Sequence, residues 1–296
     1  MSLVATLVSN PARPALDDQV VARASAAVGV VAPAKWLAPG IAVDLDVEAT
    51  LSAAEAEARL RDLLADLAID VHVQPIEGRR KRLLIADMDS TMIGQECIDE
   101  LATEVGLKDH VAEITERAMR GELEFEPALR ERVALLKDLP LDAVTRVLDT
   151  RITLTPGARE LVQTMRAHGA YCALVSGGFT LFTGPVGARV GFNENRANIL
   201  EVADGKLAGL VREPILGREA KRERLEQLSE ELGLPMGDTL AVGDGANDLA
   251  MIARAGLGVA YHAKPKVAAE ADARVDHGDL TALLYFQGYS ASDFVV

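Results

Sequence analysis

The run Leu83-Leu84-Ile85-Ala86 ends abruptly in Asp87-Met88-Asp89-Ser90-Thr91, and this change of character constrains the fold more than any other stretch. A short uncharged run closed by acidic residues predicts a buried parallel strand that delivers carboxylates at its carboxyl end. In an open α/β sheet that end is where ligands bind. Side chains alternate along a strand, so Asp87 and Asp89 leave on the same side. Two carboxylates held that close repel, and desolvation sharpens the repulsion. A divalent cation between them, or one carboxyl kept protonated, relieves it. Either solution points to chemistry.

The pattern downstream of residue 153 fits such a sheet. Strands are expected at Tyr171 to Val175, Leu240 to Val242 and Gly258 to Tyr261, with helices between them. That alternation is the signature of an α/β fold with a doubly wound, mostly parallel sheet. Thr155-Pro156-Gly157 reads as a helix start, with Thr155 as cap and Pro156 at the first position, and Gly169 ends that helix. Ala203-Asp204-Gly205-Lys206 reads as a hairpin turn in a flap beside the sheet.

Between the first strand and this pattern, apolar residues recur at helical spacing. Ile98, Leu101 and Val105 share one face, Val111 and Ile114 a second, Leu129, Val133 and Leu136 a third, and Val144 and Leu148 a fourth. The expected organisation is a core of residues 77–92 and 153–296 with a helical cap, 93–152, inserted as a lid.

Residues 1–76 read as a small α+β module of βαββαβ type. Leu3 to Val8 is a strand, Asp17 to Val28 a helix, and Ile41 to Glu48 alternates with Ile41, Val43, Leu45 and Val47 on one face. Ser52 and Glu55 match a capping box ahead of Leu60, Leu64 and Leu67, and Val71 and Val73 resume the strand pattern. Asp44 and Asp46 are explained by a solvated sheet face, and Gly78-Arg79-Arg80-Lys81-Arg82 by a solvated linker.

A formal charge of −14 over 296 residues argues against nucleic acid or an anionic membrane as partner. An anionic substrate would have to be drawn in by local positive charge. Cys97 and Cys172 make no disulfide framework and read as buried small side chains in a reducing, cytoplasmic setting. The first residues lack a basic region followed by an apolar core, and no apolar run approaches the roughly 20 residues needed to cross a bilayer.

Three further segments sit where active-site residues belong. Val175-Ser176-Gly177-Gly178-Phe179 places a hydroxyl and glycine N–H groups at a strand end, a ready anion cradle. Ser176 as a hydrolase nucleophile is the competing reading, but it lacks the Gly-x-Ser-x-Gly elbow. Val242-Gly243-Asp244-Gly245-Ala246-Asn247-Asp248 delivers a second acidic cluster, and Lys221 lies on a charged helix start where a solvated lysine is the plain interpretation. Singly these signals are weak; their order is specific.

Asp-x-Asp-x-Thr, then a strand-terminal Ser, a Lys, and Gly-Asp-Gly-x-x-Asp resembles the haloacid dehalogenase superfamily of phosphohydrolases over about residues 81–290. Val175 to Phe179, Glu96 within Gly94-Gln95-Glu96-Cys97-Ile98-Asp99-Glu100, Met119-Arg120-Gly121, Phe125 and Leu129 to Val133 narrow the resemblance to members acting on O-phosphoserine. The resemblance implies that Asp87 is the nucleophile and Asp89 the general acid and base. It places Mg²⁺ on Asp87, the Asp89 backbone carbonyl and Asp244, with Asp248 in the outer shell. Ser176, Gly177 and Lys221 would bind the phosphoryl oxygens, and Asn247 would position that group or Lys221. Glu96 would answer the substrate ammonium and Arg132 its carboxylate. Met119 and Phe125 would line the closed pocket or simply pack the lid. Serine biosynthesis would be the setting. Another small amino-alcohol phosphate, such as phosphohomoserine, and a non-catalytic amino-acid sensor are the alternatives. The first module looks like an ACT-type amino-acid-binding domain, although no ligand motif stands in it, or like a dimerisation element that would make a homodimer.

Overall fold

The computed structural model describes the chain apart from Met1, Val31, Ala49, Arg120 and Gly121, and apart from the side chains of Glu116, Ala118 and Met119. It begins with β1 (Leu3–Ser9), α1 (Asp18–Ala27), β2 (Lys35–Ala38), β3 (Ala42–Val47), α2 (Ala53–Leu63) and β4 (Ile69–Pro75). The strands form an antiparallel sheet in the order β2-β3-β1-β4. Asp17 caps α1 by accepting from Gln19 N and Val20 N, and Ser52 and Glu55 form the expected box at the start of α2. Leu7, Val43, Leu45, Leu60, Val71 and Val73 are buried together between this sheet and its helices. β2 had no clear signal, because Lys35 and Trp36 are only partly covered at the sheet edge.

The opposite face of this sheet is not solvated. Val8, Leu37, Ala38 and Ala42 join the apolar cluster that holds Leu280, Ala282 and Phe286 from the far end of the chain. Asp44 therefore lies buried, accepting from Thr6 Oγ1 at 2.7 Å and Arg79 Nη2 at 2.8 Å. The strand alternates as expected, but its polar face is covered by a second layer; Asp46 alone of the pair stays exposed. The supposed linker is likewise a fitted strap. Lys81 Nζ donates to Gly78 O and Gly237 O at 2.9 and 2.8 Å, and the Arg80 guanidinium stacks 4.1 Å from the Tyr289 ring centre.

Beyond the strap run β5 (Leu83–Ala86), α3 (Cys97–Glu104), α4 (Lys108–Met119), α5 (Phe125–Ala134), α6 (Leu141–Thr150), α7 (Ala158–Ala167) and β6 (Tyr171–Phe179). Then come α8 (Thr180–Val190), β7 (Glu194–Asn198), β8 (Leu200–Ala203), β9 (Lys206–Val211), α9 (Arg218–Glu231) and β10 (Thr239–Gly243). The chain closes with α10 (Leu249–Arg254), β11 (Leu257–Tyr261), α11 (Pro265–Glu270), β12 (Ala273–Val275) and α12 (Ala282–Phe286). The main sheet is parallel, in the order β12-β11-β10-β5-β6-β7. From β5 the winding proceeds outward in both directions. The carboxyl ends of β5 and β10 therefore meet at the topological switch point, where such sheets bind ligands.

Two expectations need correction or extension. α7 opens at Ala158, not at a Thr155 cap, because Gly157 takes a left-handed φ of 81°. A Cβ there would lie 2.6 Å from Thr281 N, and Pro156 O accepts from Leu280 N, so a tertiary contact overrides the local cap signal. The hairpin turn is as expected, with Asp204 and Gly205 both left-handed (φ 50° and 74°), as a two-residue hairpin requires. It is fastened to the cap: Asp138 N donates to Leu207 O, Leu207 N to Leu139 O and Leu141 N to Gly205 O. Among the described residues no helix is long and apolar enough to cross a membrane.

Asp70 on β4 is the polar anchor of the seam between the two sheets. Its carboxylate accepts from Asp276 N, His277 N and Gly278 N at 2.7, 3.1 and 2.7 Å. A buried donor left without a partner costs about 1–3 kcal/mol. Asp70→Ala should therefore lower the unfolding free energy in urea by about 2–4 kcal/mol, whereas Asp46→Ala, exposed on the same sheet, should change it by less than about 0.5 kcal/mol. Equal effects would show that the seam does not depend on this carboxylate.

Candidate active site

The site grows from the end of β5. Asp87 N continues the ladder to Val242 O at 3.0 Å, which fixes the residue against β10. Its carboxylate is buried, and Oδ1 accepts from Met88 N at 2.7 Å and faces Lys221 Nζ at 2.7 Å. The chain then turns sharply: Asp89 is extended and Ser90 takes a left-handed φ of 54°, an uncommon conformation for a side-chain-bearing residue. Ile93 N bonds back to Met88 O, and Thr155 N to Met92 O. This tight turn sets Asp89 beside the start of α3, where its Oδ1 accepts from Cys97 N at 3.1 Å.

β10 delivers the second acidic group. Asp248 is fully buried, with Oδ1 2.6 Å from Lys221 Nζ and Oδ2 accepting from Gly245 N at 3.1 Å. Thr91 Oγ1 donates to Asp244 Oδ1 at 3.4 Å. Gly243 is obligatory here, since a Cβ would collide with the Asp248 carboxyl; at Gly245 it would strike Asn247 Oδ1. Carboxylate oxygens of Asp87, Asp244 and Asp248 all lie within 4.8 Å of one another. Asp248 thus stands beside Asp87 and Asp244, and the expected contribution of Asp89 was its backbone carbonyl alone.

Electrostatics follow from crowding four acids around one buried ammonium. Burial pushes Asp89 up to about 6, partly offset by hydrogen bonding from Cys97 and reinforced by the Asp87 charge. Burial and then Asp87 push Asp244 to about 6 and Asp248 to about 7. Burial pulls Lys221 down, but Asp248 and Asp87 outweigh it and hold the ammonium above the usual lysine range. The cluster therefore has more negative charge than its own cation balances. Hard carboxylate oxygens so gathered fit a divalent cation, and a dication would restore full ionisation.

The phosphoryl side is built at the end of β6. Ser176 is buried, and its Oγ accepts from Gly178 N at 2.9 Å. A Cβ on Gly178 would lie 2.8 Å from Asp89 Oδ2, and one on Gly177 would lie 3.4 Å from the Phe125 ring. The two glycines thus let one strand end fit beneath the cap and against the β5 turn. Phe125 also reaches over Gly217, ahead of α9, and α9 carries Lys221 in its first turn.

In the cap, Ser90 Oγ donates to Glu96 Oε1 at 2.6 Å. The Glu96 side chain reaches solvent, yet the enclosing walls of the cleft and the Asp89 charge push its carboxyl to about 8. Arg132 donates from Nε to Ala128 O at 3.1 Å and from Nη1 to Thr115 Oγ1 at 3.2 Å; burial pulls its guanidinium below the usual arginine range, and the charges of Asp99 and Glu96 offset that only in part. Met119 ends α4, and its side chain lies outside the described residues. The structure thus gathers Asp87, Asp89, Ser176, Gly177, Lys221, Asp244, Asn247 and Asp248 below Phe125 and Glu96. Arg132 is anchored within the cap helices. Sequence reasoning missed Ser90, which stood within the leading motif, and Asn198, whose polar edge strand carried no signal.

Comparisons with known proteins agree with this geometry. The haloacid dehalogenase-like hydrolase family matches residues 84–253. The phosphoserine phosphatase of Archaeoglobus fulgidus is 43% identical over 233 residues, spanning 78% of this chain and 67% of that protein. The structure of a probable phosphoserine phosphatase from Vibrio cholerae, in unliganded form, has a TM-score of 0.78 at 34% identity, covering 99% of this chain and 88% of its own. A substrate-bound phosphoserine phosphatase complex has a TM-score of 0.66 at 42% identity, covering 70% and 98% respectively. The family match takes in both acidic strand ends, the serine between them and the buried lysine that joins them, so the chain belongs to the haloacid dehalogenase-like hydrolases.

Proposed function

We propose that this protein is an Mg²⁺-dependent phosphoserine phosphatase that releases serine and phosphate, the closing step of serine biosynthesis, in the cytoplasm. The observation that carries the reading is the buried Lys221 ammonium between Asp87 and Asp248, with Glu96 and Arg132 carried by the cap. The relatives' activity supports the substrate. The two free, buried cysteines support a reducing location. The division into a 1–76 module, a 93–152 cap and the remaining core belongs to the same proposal.

In this reading an Asp87 oxygen attacks phosphorus as the bond to the serine oxygen breaks, leaving an aspartyl-phosphate. Asp89, near 6, gives its proton to the departing serine oxygen. It then takes one from the water that attacks the aspartyl-phosphate, which frees phosphate and regenerates Asp87. Lys221, Ser176 and the Gly177 N–H hold the equatorial oxygens, where charge is redistributed in the transition state. Asp87, Asp244 and the Asp89 carbonyl, with Asp248 alongside, would hold Mg²⁺, whose charge offsets the repulsion between a carboxylate nucleophile and a phosphate dianion. Glu96 would meet the substrate ammonium and Arg132 its carboxylate.

Asp87→Asn should leave the fold intact and remove turnover. Asp89→Asn should lose about 10²–10⁴-fold in rate, the usual share of acid–base catalysis, while labelled phosphate accumulates on Asp87. Wild-type turnover by Asp87→Asn would end the covalent scheme. Chelation should abolish hydrolysis and Mg²⁺ restore it, with Ca²⁺ a poor substitute because it takes more ligands in looser geometry. Full activity in excess chelator would exclude a metal role.

Arg132 tests the substrate. Arg132→Ala should reduce kcat/KM for phosphoserine by the equivalent of about 2–4 kcal/mol, the range for removing one partner of a buried charge pair. A small phosphate ester without a carboxylate should suffer far less. Equal losses on both would make Arg132 a packing residue of the cap, consistent with its bonds to Ala128 and Thr115.

A further inference from the structure

Asn198 ends β7 and is 1% exposed, and its amide serves two stretches of backbone distant in sequence. Nδ2 donates to Gly177 O at 2.8 Å and to Leu216 O at 3.2 Å, and Oδ1 accepts from Leu216 N at 2.7 Å. The first stretch is the phosphoryl cradle. Gly177 O and Gly178 N belong to one planar peptide, so holding the oxygen orients the N–H at its other end. That N–H is the one bonded to Ser176 Oγ. Two consecutive glycines have no side chains to fix this peptide, and glycine tolerates many alternatives. Because Oγ accepts from Gly178 N–H, the serine proton remains available to another acceptor.

The second stretch leads into α9. Leu216 precedes Gly217, which lies under Phe125, and Lys221 follows in the first turn. Between Asn198 and Leu216 the chain makes the β8–β9 hairpin, which is bonded to the cap through Leu139 and Leu207. One buried amide therefore ties together the serine cradle, the approach to the lysine helix and the neck of the cap-bound hairpin.

We propose that Asn198 is a positioning residue: it holds the Gly177–Gly178 peptide and Leu216 in a fixed relation, so that Ser176 and Lys221 grip the same phosphoryl group. The inference rests on the phosphatase reading above and deepens it. A residue that merely stabilised the fold would not discriminate between the two products. A positioning residue for the phosphoryl site should weaken phosphate and spare serine.

The test uses the Mg²⁺-loaded full chain with Asn198→Ala and Asn198→Asp. Both should lower kcat/KM for phosphoserine by about 10²-fold, the scale of a 1 Å misplacement. Calorimetric affinity for inorganic phosphate should fall by about tenfold or more, while inhibition by serine shifts by less than about twofold, as befits an interaction confined to one part of the site. Asn198→Asp keeps the acceptor for Leu216 N but, when ionised, offers Gly177 O no donor. Its deficit relative to wild type should shrink as pH falls and the introduced carboxyl gains an O–H. Parallel losses for phosphate and serine, unchanged kinetics, or failure of both variants to fold would each overturn the proposal. Inactivity of the wild type on phosphoserine would instead overturn the functional reading, because phosphate binding by wild type and variants can be compared without turnover.

Discussion

The site depends on one buried contact, the Lys221 ammonium lodged 2.7 Å from Asp87 and 2.6 Å from Asp248. Three charged groups nearly withdrawn from water are tolerable only because each is another's partner; removing one partner of such a set leaves an uncompensated buried charge. The contact also joins elements far apart in the chain: the end of β5, the start of α9 and the turn after β10. Gly243 has to lack a side chain so that Asp248 can reach inward, and the Asp87–Val242 ladder bond keeps the two acidic strand ends in register. The topological switch point provides the space. The lysine determines what the acids can do there.

Around this contact the molecule is built in two covers. The N-terminal sheet covers the end of the core distant in sequence from its own strands, through Asp70, Gln74 and the buried Asp44–Arg79 pair. The helical cap covers the carboxyl ends of the parallel strands. The cap extends beyond its four helices, since the β8–β9 hairpin is bonded to it by backbone at Asp138, Leu139 and Leu141. Arg130 adds an exposed ion pair to Glu213, 2.6 Å away, of the kind that contributes little by itself. The Phe125 ring over Gly177 and Gly217 gives the cap its apolar footing.

Much of this was legible in the sequence, for physical reasons that differ from place to place. Asp87 and Asp89 were readable because strand alternation and an abrupt change of polarity are local facts. The cap helices were readable because Ile98, Leu101, Val133 and Val144 repeat at helical spacing and are indeed buried. Lys221 was not distinctive, since its helix start is crowded with charge and only the tertiary fold shows which of those charges is buried. Asp44 misled for the opposite reason: alternation identifies a polar face, but it does not say whether another layer lies on that face. Thr155 had a proper cap pattern, overridden by the close approach of Thr281 to Gly157. β7 was invisible because an edge strand rich in Glu, Asn and Arg has no apolar run, and Asn198 was hidden with it.

The acidity of the chain has a local counterpart that bears on how an anion is received. Asp89, Asp244 and Asp248 are all pushed up toward neutrality, mainly by burial and then by the Asp87 charge, and Glu96 higher still, by burial and then by Asp89. A shift of one pKa unit corresponds to about 1.4 kcal/mol of differential interaction between the two protonation states. A group that adds positive charge close by is therefore bound more tightly as these carboxyls ionise, and it releases protons in doing so. A dication beside Asp87 and an ammonium beside Glu96 both act in that direction. A phosphate dianion alone acts against it and finds attraction at Lys221 and the amide donors. The site thus suits a ligand that carries both signs. An amino-acid phosphate meets that requirement in a single small molecule, whereas a simple phosphate ester meets only half of it.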